Sequence, residues 1–225
     1  MSVERLESLI LEPPGAVTAS VIWLHGLGAD GYDFEPMVPE LGLRERGVRF
    51  VLPHAPHRPV TINGGYVMRA WYDIRWPDLR READAVGIGE SVAAVNALIE
   101  AELAQGIPAE RIVLAGFSQG GVIVLQAGLN HPQRLGGILA LSTYLALPDA
   151  LAEPAPPGRA TPVFMGHGRE DTVVPFAAAE ASCRQLQQLG CNVDFHAYSM
   201  SHSVCMEEVA DIRAWLERWW NAAGG

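Results

Sequence analysis

Six short apolar runs, separated by stretches of helical periodicity, constrain this chain more than any other feature of it. Residues 17–24 (VTASVIWL), 48–52 (VRFVL), 111–116 (RIVLAG), 135–142 (LGGILALS), 162–167 (PVFMGH) and 193–198 (VDFHAY) read as strands. Most are continuous apolar runs rather than alternating ones, as strands covered on both faces require. Between them, residues 83–105 place Ile88, Val92, Val95 and Ile99 on one stripe of a helix that Gly106 and Pro108 end. Residues 120–130 form a helix that is apolar nearly all round, and therefore buried. Residues 176–189 and 206–220 are amphipathic helices, the first stopped at Gly190. Residues 148–162 hold five prolines and read as a surface loop. Strand alternating with helix predicts an α/β fold, a mostly parallel central sheet with helices on both faces. With 225 residues, no internal repeat and no clean linker, residues 1–225 are expected to form a single domain.

One segment breaks the pattern. Residues 53–79 show no clear period and carry Tyr66, Trp71, Tyr72 and Trp76 beside Gly64-Gly65. A long irregular excursion of this kind is either packed by its own aromatics or is part of a binding site. The residues alone leave both readings open.

Composition excludes several function classes. The formal charge is −10 and no basic stripe is present, so no nucleic-acid partner is expected. The arginines are scattered, and the Arg80-Arg81 pair reads as solvated surface. No apolar run is long enough to span a membrane, and residues 1–10, with Glu4, Arg5 and Glu7, do not read as a signal peptide. Stable membrane insertion is therefore not expected. Cys183, Cys191 and Cys205 are an odd, sparse set without metal-ligand spacing. These features predict a reducing compartment, most simply the cytoplasm, with no metal.

The chemistry centres on Gly116-Phe117-Ser118-Gln119-Gly120, a G-x-S-x-G pattern between a predicted strand and a predicted helix. Three fixed letters recur by chance in about one chain in ten of this composition, so the strand–turn–helix setting carries the weight. A serine nucleophile needs a tight turn, flanking glycines that relieve crowding, and a helix N-terminus facing the developing negative charge. It also needs a base and an acid that orients the base, in the chain order Ser, acid, His on a fold of this type. His25, His54 and His57 precede Ser118, while His131 and His167 leave no well-placed acid before them. His196 lies inside a predicted strand. His202 lies in the polar break Ser199-Met200-Ser201-His202-Ser203 after the last strand, where catalytic groups belong. The acid is Asp171 or its neighbour Glu170, both just past the fifth strand. The oxyanion donors are expected to be the backbone N–H of Gln119 and that of Leu27 in His25-Gly26-Leu27-Gly28. His25 itself reads as a structural hydrogen-bonder.

These residues resemble the carboxylesterase, lysophospholipase and acyl-protein thioesterase family of small α/β-hydrolases, from about Val17 to Trp219. The likeness rests on His25-Gly26-Leu27-Gly28-Ala29-Asp30, Pro53-His54-Ala55-Pro56, residues 59–65 (PVTINGG), Ala70-Trp71-Tyr72-Asp73-Ile74, residues 116–121 (GFSQGG), and His202 with Glu207-Glu208. The resemblance implies an α/β-hydrolase fold and the triad Ser118, Asp171 and His202. It selects Asp171 over Glu170, because the family's acid sits in Gly-x-x-Asp-x-x-Val-Pro, here residues 168–175. It implies that the excursion lines an acyl pocket, with Trp71, Thr143 and Tyr144 as pocket residues. Asn63-Gly64-Gly65-Tyr66 is closest in wording to the bacterial carboxylesterase branch. Thr143-Tyr144 stand where the thioesterase branch tends to have Cys and Trp. The implied activity is cofactor-free hydrolysis of small to medium acyl carboxylic esters through an acyl-enzyme. The alternatives are acyl-protein thioesterase or lysophospholipase activity with the same triad, and a catalytically silent binding module. The implied partners are a small-molecule ester and a second copy of the chain in a homodimer.

Overall fold

The computed structural model describes residues 6–76, 83–151 and 153–222. The first five residues, the end of the 53–79 excursion and the Arg80-Arg81 pair lie outside the described residues. The elements run β1 (Ser8–Leu11), β2 (Ala19–Leu24), α1 (Val38–Leu41), β3 (Val48–Pro53), β4 (His57–Val60), β5 (Tyr66–Arg69), α2 (Ala85–Ala104), β6 (Ile112–Phe117), α3 (Gln119–Leu129), β7 (Gly137–Leu141), β8 (Val163–Gly168), α4 (Phe176–Gln188), β9 (Val193–Tyr198) and α5 (Met206–Ala222).

All six sequence-predicted strands are present. With β1 they share one seven-stranded sheet in the order β1-β3-β2-β6-β7-β8-β9. Every pair is parallel except β1 with β3, which is antiparallel. Alternate side chains of each strand enter two separate cores. Ile22 and Leu24 of β2, Ile112 and Leu114 of β6, and Val163 and Met165 of β8 pack with α2, α3 and α4 on one face. Val21 and Trp23, Val113 and Ala115, and Phe164 pack with α1 and α5 on the other. That double covering is why the strands read as unbroken apolar runs. Every residue of α3 is buried, in line with its all-round apolar sequence.

Three strands were not legible in the sequence. The edge strand β1 is only four residues long, and its side chains are half-buried without alternation. The excursion, expected to be irregular, contains the antiparallel hairpin β4–β5, which turns at Gly64 and Gly65 with φ of 68° and 79°. Pro59 in one strand and the exposure of Tyr66 and Val67 in the other hide the period-two signal.

Candidate active site

The site lies at the C-terminal ends of β2, β6, β8 and β9, where the parallel strands deliver their following loops. Ser118 occupies the turn between β6 and α3 with φ 53° and ψ −115°, a conformation that a non-glycine residue holds only when its surroundings impose it. Those surroundings are visible. The Ser118 N–H donates to Leu141 O at 2.9 Å, and the Thr143 hydroxyl donates to Ser118 O at 2.7 Å. The flanking glycines are needed because the chain has no room for a side chain. A Cβ at Gly116 would collide with the backbone of Gly120, and a Cβ at Gly120 would lie 2.7 Å from both Leu24 O and His25 O. The second collision sets α3 directly against the end of β2, which brings the Leu27 loop to the serine.

The structure brings Ser118, His202 and Asp171 together. His202 Nε2 lies 2.9 Å from Ser118 Oγ, and His202 Nδ1 lies 2.7 Å from Asp171 Oδ2. A carboxylate only accepts, so Nδ1 carries the proton and Nε2 presents its lone pair to the serine hydroxyl. The other oxygen of Asp171 accepts from the N–H groups of Val173 and Val174, both at 2.8 Å. Phe117 packs its ring on His202 with centroids 4.8 Å apart. Glu170 is exposed, and its N–H donates to Met200 O. His196 pairs with Asp194 at 2.9 Å, and His167 is buried with Nε2 2.9 Å from Val174 O. Burial pushes the His167 pKa down, so it serves as a neutral prop under the Asp171 turn.

Among the described residues, the N–H groups of Leu27 and Gln119 donate to no protein acceptor. Both residues line the cavity above Ser118, and Gln119 opens α3, whose N-terminal dipole favours negative charge there. His25 shapes the first of these donors. Its Nε2 accepts from the Ala55 N–H at 3.0 Å, so its Nδ1 is protonated and donates to Gly26 O at 2.7 Å. Burial pushes its pKa down to about 4, which makes it a neutral structural group.

The cavity has a volume of about 350 Å³ and a mainly apolar lining that includes Tyr72, Ile74, Tyr144 and Val174. Two of the three residues expected to wall it stand elsewhere. Trp71 is fully buried behind the Leu27 loop, where its indole N–H donates to His25 O at 2.9 Å. It borders a different cavity with His54 and Arg69. Tyr72 and Ile74, which follow it in the chain, face the serine instead. Thr143 is fully buried beneath the Ser118 turn, against Gly121, where a Cβ would come within 2.5 Å of it. Tyr144 does line the cavity. Sequence reasoning missed the Gln119 side chain, which is 2% exposed. Its carbonyl accepts from the Trp71 N–H and its amide donates to Tyr72 O, both at 2.7 Å, so it clamps the excursion to the serine turn. No periodicity signals such a contact, because its partners are backbone atoms 47 and 48 residues away. Asp33 at the cavity wall was also missed. Burial, then the charge of Asp30, raises its pKa.

Comparison with known proteins agrees with this architecture. Residues 7–220 match the model of the phospholipase/carboxylesterase family. The chain belongs to that family. It is 42% identical over 226 residues to acyl-protein thioesterase 1 of Neurospora crassa, with 96% of this chain and 92% of that protein covered. Among solved structures it is similar to Arabidopsis thaliana SOBER1, with 32% identity, a TM-score of 0.83 and coverage of 90% and 99%. It is also similar to Zea mays acyl-protein thioesterase 2, with 27% identity, a TM-score of 0.84 and coverage of 95% and 98%. The fold is that of the α/β-hydrolases, and the chain is a serine ester hydrolase. No described helix is long and apolar enough to cross a membrane.

Proposed function

We propose that this hydrolase cleaves acyl thioesters and related esters by two-step acyl transfer, with Ser118 as nucleophile, His202 as base and Asp171 as the orienting acid. The observation that carries this reading is the continuous relay from Asp171 Oδ2 through His202 to Ser118 Oγ, at 2.7 and 2.9 Å, at the foot of an apolar cavity. His202 Nε2 takes the hydroxyl proton as Ser118 Oγ attacks the acyl carbonyl carbon. The carbonyl oxygen becomes an oxyanion and accepts from the N–H groups of Leu27 and Gln119. His202 then returns the proton to the departing thiol or alcohol. Water, deprotonated in turn by His202, attacks the acyl-serine, and collapse of the second tetrahedral species frees the acid and restores Ser118. Tyr72, Ile74, Tyr144 and Val174 hold the acyl chain.

The names of the relatives support thioester hydrolysis over the oxygen-ester reading that the sequence places first. The Asn63-Gly64-Gly65-Tyr66 wording and Thr143-Tyr144 point the other way, to the carboxylesterase branch. Matched thioester and oxygen-ester series from acetyl to palmitoyl, assayed with wild type and Ser118→Ala, separate the two. Loss of all turnover in Ser118→Ala, loss of fluorophosphonate labelling and higher kcat/KM on thioesters are expected. A preference of more than about tenfold for oxygen esters returns the chain to carboxylesterase activity, and turnover surviving in Ser118→Ala removes the assigned nucleophile.

A further inference from the structure

One buried acid takes no part in that mechanism. Glu208 lies in the first turn of α5, six residues after His202, and is completely buried. Among the described residues neither carboxyl oxygen meets a donor at full hydrogen-bond geometry, although the backbone N–H of Cys205 is near enough to act on it. The carboxyl rests on the Cα of Gly166 in β8, so closely that a Cβ there would collide with Oε1. The same strand end meets the His202 segment again at Gly168, where a Cβ would collide with the carbonyls of Met200 and Ser201. The upstream half of that segment is tied down by backbone bonds, Arg169 N–H to Tyr198 O at 2.8 Å and Glu170 N–H to Met200 O at 3.1 Å. The downstream half has a long contact from the Ser142 hydroxyl to Ser203 O at 3.4 Å, and then Glu208.

We propose that Glu208 is a positioning residue, whose buried carboxyl wedges the start of α5 against β8 and so holds His202 in line between Asp171 and Ser118. The proposal rests on the triad reading given above. An uncharged carboxyl can occupy this gap, whereas an ionised one is stripped of water with a backbone N–H, that of Cys205, in place of a countercharge. Burial, and next the charge of Asp211, push the Glu208 pKa up to about 8, while the backbone N–H of Cys205 pulls in the opposite direction. The groups that face it are consistent with this. Asp211 comes from α5 itself, Tyr198 from β9, with its hydroxyl donating to Asp211, and the Cys205 backbone N–H from the connecting segment, while the Cys205 thiol acts on Tyr198. β8 contributes backbone and the apolar ring of Phe164. None of these groups is a cation, and the neighbouring His196 pairs with Asp211, Nδ1 to Oδ2 at 3.5 Å. Raising the pH through the Glu208 transition therefore places an unpaired charge under the His202 segment, and the relay loosens.

The test is the pH dependence of kcat between pH 6 and 10 on a saturating acyl ester, with folding verified at each pH. Wild type is expected to lose at least about fivefold in kcat by pH 9.5, with a midpoint near 8. Glu208→Gln, which cannot ionise, is expected to lack that alkaline limb. Glu208→Ala is expected to lower kcat at every pH with a smaller change in KM, because the wedge is gone. Cys205→Ser is expected to keep the limb, which assigns it to the carboxyl rather than to the neighbouring thiol. A wild-type profile that stays flat to pH 9.5, a limb that persists in Glu208→Gln, or one that disappears in Cys205→Ser overturns the proposal. If Glu208→Gln does not fold, the wild-type and Cys205→Ser profiles still decide. Ser118→Ala, run alongside, reports on the triad separately: residual turnover there sinks the mechanism, whereas its loss with an unchanged Glu208→Gln limb sinks only the role of Glu208.

Discussion

Replacing Gln119 by Leu tests whether a side chain in the nucleophile turn also builds the substrate pocket. The two shapes are similar, but Leu can neither accept from the Trp71 N–H nor donate to Tyr72 O. Trp71 and Tyr72 are both buried, so water cannot take over either bond. Each backbone group left unpaired costs about 1–3 kcal/mol. Transferring the apolar Leu side chain to the interior returns about 1–2 kcal/mol of this, which leaves a net loss of about 3 kcal/mol. For a chain of this length the midpoint of thermal unfolding falls by about 2–4 °C per kcal/mol, so a drop of roughly 6–12 °C is expected. Circular-dichroism melts and urea titrations of wild type and variant measure it. Because the released Tyr72 lines the acyl cavity, kcat/KM on long acyl chains should fall further than on acetyl esters. A melting point within 2 °C of wild type would refute the clamp, since the two buried backbone groups would then have found other partners.

Two further outcomes follow from the same geometry. In Asp171→Asn the amide oxygen keeps the N–H groups of Val173 and Val174, which turns the NH2 toward His202 Nδ1 and forces the proton onto Nε2. Stopped assays should show kcat reduced by about ten-thousand-fold with little change in melting point, and near-normal turnover would take the role from Asp171. His25 concerns acid stability. Its folded pKa of about 4 lies below the unfolded value of 6.5, so the unfolded chain binds the extra proton first. The stabilisation is complete above pH 6.5 and is lost as pH falls toward 4, about 3 kcal/mol in all. Urea midpoints taken from pH 7 to 4 should fall more steeply for wild type than for His25→Gln, and equal slopes would contradict it.

Local pattern was enough to read the strands of the parallel sheet and the two-sided covering that makes them apolar throughout. It was also enough to set Ser118 and His202 after β6 and β9 and to narrow the acid to Asp171 or Glu170 after β8, because a parallel sheet must deliver those loops to one edge; the family resemblance then selected Asp171. Positions on that edge are consequences of chain order and strand direction, both of which are local. The pocket wall is different. Trp71 and Tyr72 are adjacent aromatics with the same sequence signal, yet one is turned behind the oxyanion loop and the other toward the serine. Their backbones are pinned by a pair of hydrogen bonds to Gln119, far away in the chain. Glu208 stands in the first turn of a helix, a favourable place for an acid, and nothing local marks it as buried. Only the packing of α5 on β8 removes it from water. Periodicity and spacing describe which face of an element is apolar. Which polar atom meets which across the core depends on how the elements pack, and only the tertiary structure decides that.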